Sequence, residues 1–311
     1  MKLKRLTALL LSVMMVLSLA ACGGGGDTKD DSASGDLSGK TIIIGNITPV
    51  TGAQAAYGLA ITNSIQLAID EINAAGGILG ATVKLSTKDD QGTPAEAVSG
   101  FNSLLSEGAS AIIGATLSSC TSAITSLADD EGIVLVTPSS TADSITTKDD
   151  YVFRSCFKDS FQGEMVAAYA KDQGWTKAAV LYATGDTYSS GLHDSFVKAA
   201  EKYGIEIVCE QSSSDTGAVD FSSQLATIAA SGADMLFAPY YYDAVGPKII
   251  PQAREAGFKG AIMGCDGFDG TQDYTTGDLS AYENVYFKKP TASYTDLFAQ
   301  LEAAGTISTR G

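Results

Sequence analysis

The chain has 311 residues, with 36 acidic and 20 basic side chains and a formal net charge of −16 at pH 7. A chain with this charge balance repels nucleic acid phosphates and anionic lipid headgroups, so its composition argues against nucleic-acid binding. The roughly 270 residues that follow the N-terminal segments exceed what one hydrophobic core comfortably holds, and two α/β lobes are therefore expected.

Residues 1–21 predict a secretory signal peptide. Two lysines and an arginine precede an apolar run from Leu6 to Leu17, which is too short and too near the terminus for a committed membrane span. The small residues before Cys22 resemble the lipobox of bacterial lipoproteins, in which this cysteine is lipidated and starts the mature chain. A short buried helix that ends in cysteine is the alternative. Cleavage would remove three positive charges and no negative one, and the net charge would change from −16 to −19.

Residues 22–39 contain almost no apolar side chains and predict a flexible tether. From Lys40 onward, short apolar runs alternate with longer segments of helical period. The predicted strands are 41–48, 82–88, 109–115, 133–137, 177–183, 205–210, 233–239 and 260–264. The predicted helices are 60–75, 94–107, 119–130, 160–173, 189–203, 220–231 and 243–256.

This alternation predicts parallel sheets with helices on both faces. The run Ile42 to Ile44 is expected to be buried on both faces of its sheet. In the helix that follows, Ile61, Ile65, Ala68, Ile69 and Ile72 form the apolar stripe.

The predicted division of the chain places one lobe at 40–156, a second at 157–287, and a segment returning to the first lobe at 288–311. No low-complexity linker separates the lobes. We therefore expect strand-like crossovers that allow the lobes to hinge.

Hydroxyl-rich loops follow the predicted strands of the first half. Ser118 opens a helix, and Ser139 and Thr141 follow the fourth strand. Ligands bind outside the carboxyl ends of parallel strands, and hydroxyls beside free N–H groups at a helix start can hold a carboxylate or phosphate. Ser118 and Ser119 are also good N-cap residues, and capping alone would explain them.

The strand ends of the second half carry aromatic rings and a carboxylate. Tyr188, the three tyrosines at 240–242 and Asp266 occupy these positions. An anion site opposite a carboxylate suits a zwitterion. The alternatives are packing of tyrosine rings at an interface, and a turn aspartate before Gly267.

An ordered series of motifs from about 40 to 290 resembles the leucine/isoleucine/valine-binding protein family. The motifs are IGNITPVTGAQAAYG, AIDEINAAGGILG, DDQGTPAEAV, IGATLSSCTSA, DEGIVLVTPSSTA, VLYATGDTYSSG and IMGCDG. The resemblance implies two doubly wound α/β lobes joined by a hinge, the type I periplasmic-binding-protein architecture. It also implies a monomeric, non-enzymatic receptor that binds an amino acid and delivers it to the permease subunits of an ABC transporter. With the lipid anchor, such a receptor would lie outside the bacterial cell membrane.

The resemblance also assigns ligand residues by position. Ser118 corresponds to a serine that holds the α-carboxylate, while Ser139 and Thr141 correspond to contacts of the carboxylate and ammonium. Asp266 corresponds to an acidic residue, glutamate in several members, that accepts from the α-ammonium. The wall positions fall on Tyr57, Tyr188 and one of the tyrosines 240–242, which we assign to Tyr241.

Two departures from the family pattern carry expectations. Gly92 and Leu117 stand where some relatives have a disulfide, so no such bridge is expected. Family members also continue well beyond the point where this sequence ends, which indicates a C-terminal truncation, an incomplete first lobe and uncovered apolar surface.

No cofactor or metal is predicted. The four cysteines after Cys22 lack the close pairing of zinc sites, and whether they are free or oxidised stays open. They are Cys120, Cys156, Cys209 and Cys265.

Other functions remain as alternatives. One is a receptor of the same family for amides, urea or aromatic acids. A surface enzyme is more distant, since His193 is the only histidine and no GxSxG or GxxxxGK motif accompanies it. A calcium-binding protein would use Asp266, Asp269, Asp273 and Asp278, whose spacing misses the EF-hand pattern.

Overall fold

The computed structural model describes residues 35–147, 151–275 and 277–288. Four predicted features lie outside the described residues: the signal peptide, the lipidation of Cys22, the tether up to residue 34 and the return segment from residue 289. The lobe boundaries given above stay predictions.

The first lobe is built on a parallel sheet in the order β2-β1-β3-β4-β5. Its strands are β1 (Thr41–Thr48), β2 (Thr82–Asp89), β3 (Ala111–Ile113), β4 (Val134–Thr137) and β5 (Val152–Arg154). Its helices are α1 (Ala55–Ala74), α2 (Pro94–Ser106) and α3 (Ser118–Glu131), and a 3₁₀ turn spans Asp143–Thr146.

The second lobe repeats the plan, with a parallel sheet in the order β10-β9-β8-β6-β7. Its strands are β6 (Lys177–Ala183), β7 (Glu206–Ser213), β8 (Met235–Phe237), β9 (Ala261–Gly264) and β10 (Val285–Phe287). Its helices are α4 (Asp159–Asp172), α5 (Thr187–Tyr203), α6 (Ser222–Ala230), α7 (Tyr242–Ala244) and α8 (Ile250–Glu255). A π-helical turn, Val245–Ile249, joins α7 to α8, and 3₁₀ turns follow at Asp266–Phe268, Thr271–Tyr274 and Leu279–Tyr282.

The predicted α/β class with two parallel sheets is confirmed, and every predicted strand and helix has a counterpart. The prediction missed the two edge strands β5 and β10, which have three residues each and pair on one side only. It also started α1 five residues late, because the first turn of that helix contains alanine, tyrosine and glycine instead of the apolar stripe.

The two faces of the first-lobe sheet are covered unequally by helices. On one face α2 and α3 bury Phe101, Leu104 and Ile124 completely against the sheet. On the other face, α1 buries Ile65 and Ile69, and a recess of about 440 Å³ lies between α1 and the sheet.

Two sequence predictions fail at this recess. Ile42 to Ile44 are half-buried instead of buried on both faces, and Ala68 in the predicted stripe is exposed. For Ile42, Ile44 and Ala68 the physical reason is coverage, since among the described helices α1 is the one that packs on this face.

The chain passes from the first lobe to the second between β5 and α4, and side chains fix this crossover. Arg154 donates to the carbonyl oxygens of Ser140 at 2.9 Å and Ala142 at 2.7 Å. Asp143 accepts from the backbone N–H and the hydroxyl of Ser160, both at 2.9 Å, at the start of α4. The loop after β4 is thereby held against the second lobe.

Candidate functional site

A cavity of about 260 Å³ lies where the carboxyl ends of the two sheets face each other. Six of the seven predicted ligand residues line it, and the seventh, Thr141, is buried without lining it. The lining consists of Tyr57, Ala60, Ile61, Thr116, Leu117, Ser118, Ser139, Tyr188, Tyr241, Asp266, Gly267 and Asp269. Their roles as ligand contacts stay predictions.

The first-lobe wall presents hydroxyls at the start of α3. Ser139 Oγ donates to the carbonyl oxygen of Thr116 at 2.7 Å, and Ser118 Oγ accepts from the backbone N–H of Ala142 at 3.3 Å. The first N–H groups of any helix lack partners within the helix, so α3 brings positive potential to this wall.

The interpretation of Ser118 and Ser119 as caps of α3 is wrong. The N-cap residue is Leu117, and no side chain caps this helix. Ser118 opens onto the cavity, and Ser119 contacts the other lobe. Neither hydroxyl caps the helix: Ser118 Oγ accepts from the N–H of Ala142, and Ser119 Oγ bonds across the lobes.

The second-lobe wall is formed by two stacked tyrosines. Tyr188 and Tyr241 have ring centroids 4.8 Å apart and an interplanar angle of 17°. Tyr240 bonds instead to Ser213 at 2.8 Å, and Tyr242 donates to the carbonyl oxygen of Ala53 at 3.0 Å. Of the three consecutive tyrosines, Tyr241 is therefore the one that lines the cavity.

Asp266 is the acidic group of this wall. Its Oδ1 accepts from the Tyr188 hydroxyl at 2.8 Å and from Gln162 Nε2 at 2.9 Å, and its N–H donates to Gln162 Oε1 at 3.0 Å. Asp266 is half-buried where it opens onto the cavity, and desolvation raises the pKa of its carboxyl despite those hydrogen bonds. No lysine or arginine is among the described residues that line the cavity.

Direct hydrogen bonds join the lobes around the cavity. Ser119 Oγ donates to Asp186 Oδ2 at 2.8 Å and accepts from the N–H of Thr187 at 2.9 Å. Gln54 Nε2 donates to Asp243 Oδ1 at 2.8 Å. The two lobes are therefore closed on each other.

Tyr57 also spans the two lobes. Its hydroxyl lies 3.0 Å from the carbonyl oxygen of Asp269 and 3.2 Å from that of Gly267, and its ring packs edge-on against Tyr242. Tyr57 thus forms part of the cavity wall and part of the closure.

Sequence reasoning missed Gln162, Gln54 and the contact made by Ser119 across the lobes. Gln162 lies inside α4 and meets Asp266 from 104 positions away, and no local pattern signals such a contact. The available signal for Ser119 is its place beside Ser118 at the start of a helix, and capping would produce the same pattern.

The described part of the chain contains neither a disulfide nor a group of side chains suited to hold a metal ion. Its four cysteines are free thiols. A Cβ at Gly92 would lie 3.3 Å from Leu117 Cδ1, so the two positions adjoin, as the resemblance implied. In the same residues, no three His, Cys, Asp or Glu side chains are grouped to hold a metal ion. The described helices include none with the length and apolarity needed to cross a membrane.

Comparison with known proteins shows which family the chain belongs to. Residues 41–305 match the family described as periplasmic binding protein. Leu/Ile/Val-binding protein homolog 3 of Brucella melitensis is 31% identical over 79% of this chain and 66% of its own length. BraC3, a Leu/Ile/Val-binding protein of Rhizobium johnstonii, is 30% identical over the same shares. The chain thus spans about two thirds of the length of these curated relatives.

Solved structures agree with this placement. The branched-chain amino acid transporter substrate-binding protein LivJ of Streptococcus pneumoniae, in complex with isoleucine, has a TM-score of 0.73 and 32% identity, over 86% of this chain and 78% of its own. The leucine-binding protein LivK of Thermotoga maritima has a TM-score of 0.73 and 27% identity, over 85% and 76%. The chain belongs to the periplasmic binding protein family, and its relatives there include the leucine/isoleucine/valine-binding proteins.

Proposed function

We propose that this protein is the extracytoplasmic receptor of an ABC importer and binds a branched-chain or other small amino acid between its two lobes. The observation that carries the proposal is the chemical asymmetry of the cavity. Hydroxyls and a helix N-terminus form one wall, and Asp266 with two tyrosines forms the other. Isoleucine, the ligand named for the similar LivJ of Streptococcus pneumoniae, has the matching zwitterionic group.

The α-carboxylate fits the first-lobe wall. The hydroxyl of Ser118 and the N-terminus of α3 supply donors and positive potential without a fixed cation, and Ser139 lines the same wall. Such donors hold a carboxylate by charge-assisted hydrogen bonds.

The α-ammonium fits Asp266. Ionising a carboxyl at this depth is unfavourable alone, and a bound ammonium would offset that cost. Tyr188 and Gln162 both donate to Oδ1 of Asp266, which fixes the orientation of the carboxyl and leaves Oδ2 for the ligand. Aspartate in place of the glutamate of several family members keeps the charge and shortens the arm.

The ligand side chain fits the apolar part of the lining. Ala60, Ile61 and Leu117 meet the rings of Tyr57 and Tyr241 there. A branched aliphatic side chain would be transferred from water to an apolar surface, which favours binding by roughly 1.5–3 kcal/mol. The same surface would accept other small apolar side chains.

We expect the protein to have no catalytic activity and to work beside its permease. The single histidine, His193, lies on α5 between Asp194 and Glu210 and outside the cavity lining. Cys22, with its lipid, would keep the receptor at the outer face of the membrane, and we propose that it acts there as a monomer.

Isothermal calorimetry of the purified chain against the common amino acids tests this function. We expect binding of one or more branched-chain amino acids, and a loss of at least about 100-fold in affinity in Asp266→Asn, since an isosteric amide removes the charge that pairs with the ammonium. Asp273→Asn, an exposed aspartate on a nearby turn, is the matched control and should bind as the wild type does. If Asp266→Asn binds amino acids as tightly as the wild type does, Asp266 is not the ammonium site.

A further inference from the structure

The lining of the cavity contains a second aspartate, Asp269, to which the proposed function assigns no role. It directly follows the 3₁₀ turn Asp266–Phe268 and is half-buried. Its N–H donates to the carbonyl oxygen of Asp266 at 2.9 Å, and its own carbonyl oxygen accepts from the Tyr57 hydroxyl at 3.0 Å. Both backbone groups of Asp269 are therefore fixed in the closed protein, one by its own lobe and one by the other.

The two aspartates of the lining are anchored to different helices. Asp266 is held by one side chain of α4 and one of α5. Asp269 is held against α1 by Tyr57, and Ala60 and Ile61 line the cavity from the next turn of the same helix face. An amino acid whose ammonium pairs with Asp266 would extend its side chain toward α1. Asp269 thus lies beside the part of the cavity that receives the ligand side chain.

The charge of Asp269 acts inside the cavity. Burial raises the pKa of the Tyr57 hydroxyl, and nearby charges raise it further, those of Asp266 and Asp269 among them. Among the described residues that line the cavity, the charged ones are these two aspartates. A negative charge on a ligand side chain would therefore meet a carboxylate at short range and partly shielded from water, where repulsion between like charges is stronger than in bulk solvent.

A turn residue is the alternative role for Asp269. The next residue, Gly270, has a φ of 99°, and aspartate is common before a glycine in such a turn. Asparagine serves the same turn equally well and has nearly the same shape. Replacing Asp269 by asparagine therefore removes the charge while it keeps the turn, and this separates an electrostatic role from a structural one.

We propose that Asp269 is a specificity-determining residue that excludes ligands with an anionic side chain. The inference rests on the proposed function and deepens it, because it restricts the ligands to amino acids with uncharged or cationic side chains. The free amino acids L-leucine, L-asparagine and L-aspartate branch at the same carbon and have similar size. Size alone would admit all three, and the carboxylate of Asp269 would reject the last of them.

Competition against L-leucine, followed by calorimetry, measures the affinities of L-asparagine and L-aspartate. The wild-type protein should bind L-aspartate at least about 10-fold more weakly than L-asparagine. We expect this ratio to fall by roughly 5- to 20-fold in Asp269→Asn, and the preference to reverse in Asp269→Lys. A ratio cancels any change in overall affinity. The matched control is Asp273→Asn, an exposed aspartate on the next 3₁₀ turn, which should keep the wild-type ratio.

The outcomes separate the two proposals. If the wild-type protein binds no amino acid, the proposed function fails and the inference falls with it. If it binds leucine but both Asp269 variants keep the wild-type ratio or still fail to bind L-aspartate, the shape or apolar surface of the cavity excludes this ligand and only the inference fails. A proportional loss of all three amino acids in both variants would show that Asp269 has a structural role, and it would overturn the inference in the same way.

Discussion

Two consecutive aspartates at the end of β2 occupy opposite environments. Asp89 Oδ1 accepts from the N–H groups of Val50, Thr51 and Gln91, and Oδ2 accepts from the Thr51 hydroxyl. Burial alone would raise the pKa of Asp89, but these bonds outweigh it and the pKa is lowered. Asp90 is 0% exposed, with one bond from the N–H of Gly92 and an unpartnered Oδ2, and burial raises its pKa to about 6.

The two neighbours should therefore respond in opposite ways to neutralisation. The pKa of Asp90 is higher folded than unfolded, so its ionisation lowers stability progressively between about pH 4 and pH 6 and the full cost persists above. Asp90→Asn should raise the free energy of unfolding at pH 7, by up to about 3 kcal/mol, and the gain should vanish near pH 4. Urea unfolding at both pH values measures this effect.

Asp89→Asn is the matched control and should destabilise at pH 7. A lowered pKa contributes stability above the unfolded value of about 4, and this contribution is lost as the pH falls through the folded pKa. A destabilising Asp90→Asn at pH 7 would show that the Asp90 carboxylate has a stabilising partner.

At the residue scale, the sequence predicted the parts of the candidate site that follow strand ends. Ser118, Ser139, Tyr188 and Asp266 lie at such positions, and strand direction alone brings them together. Gln162, which bonds to Asp266, was not predictable, since a helix interior carries no local sign that it faces a binding site.

The packing of α4 on α5 depends on a glycine whose importance is visible only in three dimensions. A Cβ at Gly163 would lie 2.7 Å from Ser195 Cβ and 2.8 Å from the backbone nitrogen of Phe196. The helices approach so closely that backbone atoms would have to move. Gly191, on α5, has a single neighbour within reach, Asp159 Oδ2 at 3.6 Å.

Alanine should therefore have opposite effects at these two helical glycines. Gly163→Ala should destabilise the protein by about 1–3 kcal/mol, because the added methyl overpacks the helix interface. Gly191→Ala should stabilise it by about 0.5–1 kcal/mol, because alanine is the better helix former and the site has room. Thermal and urea unfolding measure the change in stability of both variants. Equal changes in the free energy of unfolding would contradict the close approach of the helices at Gly163.

At the element scale, periodicity predicted the helices and strands well because apolar spacing is a local property. The two edge strands escaped prediction because strands of three residues leave almost no periodic signal. The partial exposure of Ile42 to Ile44 depends on what covers the sheet, which is a property of tertiary packing.

For the whole molecule, closure of the lobes also involves contacts outside the cavity lining. Ser119 is absent from the cavity lining, yet it donates to Asp186 and accepts from the N–H of Thr187 in the other lobe. Asp186 also accepts from the N–H of Ser189 at 2.8 Å as the N-cap of α5. Ser119 thereby joins the starts of two helices, α3 and α5, across the cleft.

Ser119→Ala should therefore weaken amino-acid binding without changing any contact to the ligand. Losing both bonds lowers the closed population of the unliganded protein, and the apparent dissociation constant rises as that population falls. We expect leucine affinity to fall by roughly 3- to 10-fold, with little change in the melting temperature of the unliganded protein. Ser126→Ala, on the exposed face of α3, should leave both quantities unchanged. Calorimetry and thermal unfolding of the two variants give the answer, and an unaltered leucine affinity in Ser119→Ala would mean that closure does not depend on this contact.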